Sequence, residues 1–136
     1  MYCLDSCICL DFLRGKTPDF YKLLRATDPK LIKIPAIVSA ELLLGAEKCN
    51  QVKRSTLAVE EFISPFEILP FTQNCAYEYA KLRADLEAQG QVIGANEMLI
   101  AATAIANHAT LITNNAREFK RIPNFSLECL DMASIE

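Results

Sequence analysis

The chain predicts an α/β domain in which helices cover both faces of a central parallel sheet. Three observations carry this. The short runs Tyr2–Leu4, Leu31–Ile34, Glu67–Leu69 and Thr110–Thr113 have the length of buried strands and are largely apolar. Longer segments with helical signals separate them, and parallel neighbours need such crossovers. At 136 residues, 51% hydrophobic and 23% charged, the sequence suffices for one globular core, so residues 1–136 are read as a single domain.

The elements follow in order. Tyr2–Leu4 is a strand that ends at Asp5, and a helix runs from Ser6 to about Leu13, stopped near Gly15. Thr17 caps a second helix, with Pro18 at its first position and Phe20, Leu23 and Leu24 as its apolar stripe. After the strand Leu31–Ile34, closed by Pro35, a helix from about Ile37 to Lys48 carries Glu41; Gly45 within it suggests a closely packed neighbour. A further helix spans Val52 to Ile63, with Leu57, Phe62 and Ile63 apolar, and precedes the strand Glu67–Leu69. Thr72 caps a long helix that reaches Gln89 and ends at Gly90. Gly94 and Asn96 serve as turn and N-cap residues of the next helix, and Glu97 lies in its first turn. From Met98 to Ala106 that helix has almost no polar face and should be buried on most sides. Thr110–Thr113 then delivers Thr113, Asn114 and Asn115 at a strand end, and Phe125 to Cys129 adds an edge strand.

The totals exclude several classes. With a net charge of −3 there is no bulk basic field to hold a nucleic acid, so such binding needs a local patch. No apolar run reaches the ~18 residues of a membrane span, and the N-terminus, interrupted by Asp5 and Asp11, is no signal peptide. The six cysteines lack paired zinc spacing and read as reduced, small apolar residues of a cytoplasmic protein. One histidine, His108, leaves little for imidazole acid/base chemistry, and phosphate-binding glycine motifs are absent.

Parallel α/β sheets bind ligands beyond the carboxyl ends of their strands. Asp5 and Asn115 fall at that edge, and Glu41 and Glu97 lie in helices that start from it. Individually, Asp5 reads as a helix cap, Glu41 as a solvated acid, Glu97 as a dipole partner and Asn115 as a turn residue. Together they form a cluster whose carboxylates repel unless a cation neutralises them, and oxygen-only ligands suit Mg²⁺ or Mn²⁺. Such an ion activates water against a phosphodiester.

These segments resemble the PIN-domain family, specifically the VapC toxins of bacterial toxin–antitoxin pairs, over essentially the whole chain. The matching stretches are Met1 to Cys9 with Asp5, Pro35 to Glu47 with Glu41, Ile93 to Ala101 with Glu97, and Leu111 to Phe119 with Asn115. The resemblance implies a three-layer α/β/α sandwich with a central parallel sheet and Mg²⁺- or Mn²⁺-dependent cleavage of RNA. It also implies a homodimer and inhibition by a VapB-type antitoxin whose basic side chain enters the acidic pocket. By position, Asp5 and Glu97 would ligate the metal, Glu41 and Asn115 would complete the catalytic set, and Ser6 and Thr113 would orient ligands or water. Arg117, Lys120 and Arg121, just past the pocket edge, are candidate RNA contacts. Glu97 stands where the family normally has Asp, Cys7 where Asn is common, and Asn115 in place of Asp. An alternative function follows: a domain with weakened or lost catalysis that binds RNA or a partner.

Overall fold

In the computed structural model, which describes residues 1–130, five strands form one sheet with every neighbouring pair parallel. They are β1 (Tyr2–Leu4), β2 (Ile32–Pro35), β3 (Glu67–Leu69), β4 (Thr110–Thr113) and β5 (Leu127–Cys129), in the order β3-β2-β1-β4-β5. The first strand is therefore central, and Tyr2 pairs with Ile32 on one side and Thr110 on the other. The chain winds outward through β2 and β3, then crosses back to β4. That reversal leaves a crevice beyond the carboxyl ends of β1 and β4, where doubly wound sheets place their ligands.

The helices are α1 (Ser6–Leu13), α2 (Pro18–Ala26), α3 (Ala36–Glu47), α4 (Val52–Ile63), α5 (Gln73–Ala88) and α6 (Ala95–Ala106). α5 packs on α6, α3 on α4, and α1 on both α3 and α4. Leu4, Ile32, Ile34, Leu111 and Ile112 of the strands are fully buried, as are Met98, Ile100, Ala101, Ala102 and Ala104 of α6. The unusually apolar α6 is thus interior, and its alanines let α5 approach closely. α5 stops at Gly90, whose φ of +66° favours glycine.

Several local expectations shift. Leu31 closes a 3₁₀ turn (Pro29–Leu31), so β2 starts at Ile32 and takes in Pro35. Phe125 precedes β5 rather than opening it. The N-cap of α6 is Gly94 and Asn96 sits inside the helix. Thr17 occupies the N-cap of α2, but its hydroxyl makes no capping bond and is buried without a partner. Gly45 has room for a Cβ, which would meet Leu10 Cδ2 at an ordinary 3.9 Å. The apolar stripes of α2 and α4, which could also have formed a groove for a partner helix, are largely filled from within. Phe20 is fully buried, and Phe12 packs against Phe20 and Phe62 at 5.6 and 5.2 Å between centroids. Only Leu57 of that group stays well exposed.

All six cysteines are free thiols, with Cys3, Cys9 and Cys75 buried as apolar filling. Among the described residues no helix is long and apolar enough to cross a membrane.

Candidate functional site

Asp5 anchors the crevice. The chain leaves β1 at Leu4, and Asp5 keeps extended backbone angles (φ −80°, ψ 156°) as the N-cap of α1. Its Oδ1 accepts the Ser6 amide at 2.8 Å, while Oδ2 accepts the Thr113 hydroxyl at 2.7 Å from the end of β4. Capping and site membership are therefore one arrangement: the cap fixes one oxygen and the neighbouring strand fixes the other. The Thr113 hydroxyl also accepts the Asn115 amide at 3.0 Å, which ties the following loop to the same carboxylate. Asp5 is only 3% exposed. Burial pushes its carboxyl up to about 6; bonds from Thr113 and Ser6 oppose this, and the charges of Glu41 and Glu97 add to it.

Glu41, half-buried on α3, carries the most telling atom. Its Oε1 is buried without a hydrogen-bond partner. Burial raises its carboxyl above the ordinary value and Glu97 adds to that, whereas the side chains of Ser6 and Asn96 pull the other way. Glu97 stands in the first turn of α6 but folds back over its own N-cap. Its Cδ lies 2.9 Å from where a Cβ on Gly94 would be, and Oε2 lies nearer still. A larger residue at position 94 would push the Glu97 carboxylate out of that space. Glu97 is thus within electrostatic reach of Asp5 and Glu41 while its side chain is turned onto the helix start. Among the described residues no three His, Cys, Asp or Glu side chains form a preformed chelating group.

Cys7 reports on the whole cluster. Its thiol is pushed up to about 11, first by burial and then by Asp5, Asp11, Glu41 and Glu97 together. At neutral pH it stays protonated, which removes it as a nucleophile. Cys7 also lines a rim cleft of about 280 Å³ with Leu10, Asp11, Arg14, Asn114 and Asn115. There Asn114 Nδ2 donates to Asp11 Oδ2 at 2.5 Å, a pairing absent from the sequence expectations. Half of the signal was present: Cys7, Leu10 and Asp11 at i, i+3 and i+4 share one face of α1, with Arg14 at its C-cap.

Of the basic candidates, Arg117 and Lys120 are exposed, while Arg121 Nη1 donates to the Val92 carbonyl at 2.9 Å. His108 precedes β4, at the opposite end of the strand from Thr113, and is placed for no acid/base role here. What remains is an all-oxygen acidic crevice with one orphaned buried carboxylate oxygen. That donor set fits a hard divalent cation, which would offset the burial that raises Asp5 and Glu41 and the smaller repulsion that adds to it.

Residues 2–124 match the PIN domain family. The chain is 42% identical over 133 residues to Ribonuclease VapC2 of Rickettsia felis, covering 96% of this chain and 98% of that protein. It is 31% identical over 127 residues to the tRNA(fMet)-specific endonuclease VapC of Salmonella typhimurium, covering 93% and 96%. In the crystal structure of VapBC2 from Rickettsia felis bound to a DNA fragment from their promoter, one chain superposes with a TM-score of 0.90. That chain is 40% identical, with 96% of this chain and 98% of that one covered.

Proposed function

This chain belongs to the PIN-domain family and, within it, to the VapC toxins, and we propose that it is a divalent-metal-dependent endoribonuclease held in check by a VapB-type antitoxin. The observation that carries the metal requirement is the buried, unpartnered Glu41 Oε1 beside an Asp5 carboxyl that burial makes costly to ionise. When bound, Mg²⁺ or Mn²⁺ supplies charge neutralisation and an activated water. Asp5 and Glu97 are the residues that would hold it. Two fixed donors keep Asp5 from swinging, so the ligand position is set before any ion arrives. Burial raises the Glu41 carboxyl above its ordinary value, and its unpartnered Oε1 is the atom placed to accept a proton. Ser6 and Thr113 orient the carboxylates, and Asn115 stands at the rim where substrate enters.

Exposed Arg117 and Lys120 are proposed to contact RNA phosphates; Arg121 is already engaged by the backbone. Homodimer formation belongs to the same proposal. The test is direct. Purified protein incubated with mixed RNA, and with tRNA(fMet) because the Salmonella relative is named for it, should cut only when Mg²⁺ or Mn²⁺ is supplied. Cleavage that persists undiminished in excess chelator would rule the proposal out.

The antitoxin is proposed to lie in a different place from the α2–α4 face. A largely apolar cleft of about 300 Å³ runs between α1, α3 and α4, bordered by Leu10, Leu13, Leu42, Gly45, Ala58 and Val59. A helix laid into it would bury its apolar face in a groove of matching character. Because Gly45 has space above it, Gly45→Met should fill the cleft without disturbing the core, and methionine favours a helix. The expected result is antitoxin affinity lowered ~10-fold or more, the scale of losing a well-packed central contact, with RNase activity kept. Unchanged affinity in a calorimetric titration would place the partner elsewhere.

A further inference from the structure

We infer that Glu118 and Arg121 are positioning residues, which act as a strap setting the place of Glu97 relative to Asp5. α6 begins without a side-chain cap at Gly94, and the stretch from Gly90 to Gly94 lies outside strand and helix, tied to α5 only at its start, where the Gly90 and Gln91 amides donate to the Glu87 and Leu86 carbonyls at 3.2 and 2.8 Å. Two polar groups of that backbone are met from one distant source. Glu118 Oε1 accepts the Gly94 amide at 3.1 Å, and Arg121 donates to the Val92 carbonyl at 2.9 Å. Both side chains belong to the loop that follows β4, and Phe119 between them is buried in the core. At its other end the same loop is fixed to Asp5, since the Asn115 amide donates to the Thr113 hydroxyl that holds Asp5 Oδ2. One loop thus touches both halves of the crevice, Asp5 through Thr113 and Glu97 through Gly94. Glu97 lies three residues past Gly94 and folds directly over it, so a shift of that turn moves its carboxylate.

The inference rests on the ribonuclease reading above, and deepens it by assigning Arg121 to the protein backbone instead of to RNA. It is tested with Mn²⁺ alone as the probe, alongside RNA cleavage. In the metal-free protein, Glu118→Ala should speed hydrogen exchange of the Gly94 amide ~10-fold or more as that turn opens locally. The same variant should weaken Mn²⁺ binding ~10-fold, the scale seen when groups that orient a metal ligand are lost, with the KM for RNA little changed. Glu118→Gln, which keeps an acceptor, should recover most of both. Arg121→Ala should weaken Mn²⁺ similarly and leave the salt dependence of RNA affinity intact, whereas a phosphate-binding arginine would flatten that slope by about one. Asp5→Ala is run beside them. If it leaves Mn²⁺ binding untouched, the metal reading fails and the strap falls with it. If Asp5→Ala abolishes binding but Glu118→Ala and Arg121→Ala bind Mn²⁺ like the parent, the strap alone is overturned. Should Glu118→Ala fail to fold, the Arg121→Ala and Glu118→Gln results decide.

Discussion

Asp5→Ala is expected to abolish metal-dependent RNA cleavage, by ~10³-fold or more, since stabilisation by a bound cation is worth several kcal/mol of barrier. Asp5 is the one acid of the crevice whose two oxygens are both fixed, so no neighbour can substitute for it. The same residue gives the metal-free protein a characteristic pH response. Folded Asp5 holds its proton up to about 6, against 3.8 for an ordinary aspartate. Between those values the folded state binds more protons than the unfolded one, so stability falls as pH rises through the window and levels off above it. At ~1.4 kcal/mol per pH unit the loss is of order 3 kcal/mol. Asp5→Asn should flatten this decline, as followed by urea denaturation at pH 4 and pH 7 in the absence of metal. Added Mn²⁺ should stabilise the parent at pH 7 in proportion to ln(1 + [Mn²⁺]/Kd), and should not stabilise the variant. A decline equally steep in Asp5→Asn would show that another group is responsible.

Glu97→Asp should raise turnover, by as much as ~10²-fold. The extra methylene displaces a carboxylate by ~1.5 Å if the helix is fixed, and misplacement of ~1 Å can cost that much. The structure supplies a second reason. The glutamate is long enough to fold back over Gly94, whereas an aspartate at the same position is too short to do so and would leave its carboxylate free for the crevice. Charge count is unchanged, so Mn²⁺ affinity should change less than the rate does. Mg²⁺ demands near-ideal octahedral geometry and should benefit more than Mn²⁺. Cleavage of one RNA by both proteins with both ions checks this. No gain with either ion, in a protein whose Asp5→Ala variant is equally inactive, would favour the alternative of a domain that binds without cutting.

Much of the crevice was legible because strand ends are legible. Once Tyr2–Leu4 and Thr110–Thr113 were read as parallel strands, Asp5 and Thr113 had to emerge at one edge, and a 2.7 Å bond joins them. The burial of α6 was equally plain from its composition. What escaped the sequence is whatever depends on a single long-range side-chain bond. Glu118 reaches a backbone amide 24 residues away and leaves no periodic trace. The rotamer of Glu97 depends on empty space at Gly94, which sequence shows only as a glycine. The internal packing of α2 and α4 escaped for a related reason: an amphipathic stripe reveals that a face is covered, never which neighbour covers it. Phe12 lay outside the apolar stripes weighed for α2 and α4, yet it is the ring that fills the space between them.

The central place of β1 has a consequence for synthesis on the ribosome. The first strand to emerge must wait for β4 before its second edge is paired, and Asp5 waits 108 residues for the Thr113 hydroxyl. Contacts this distant in sequence form late, after their loops have closed. A nascent chain lacking β4 has β1 paired on one side only and no Thr113 hydroxyl to hold Asp5, so the crevice is not assembled until β4 has been made.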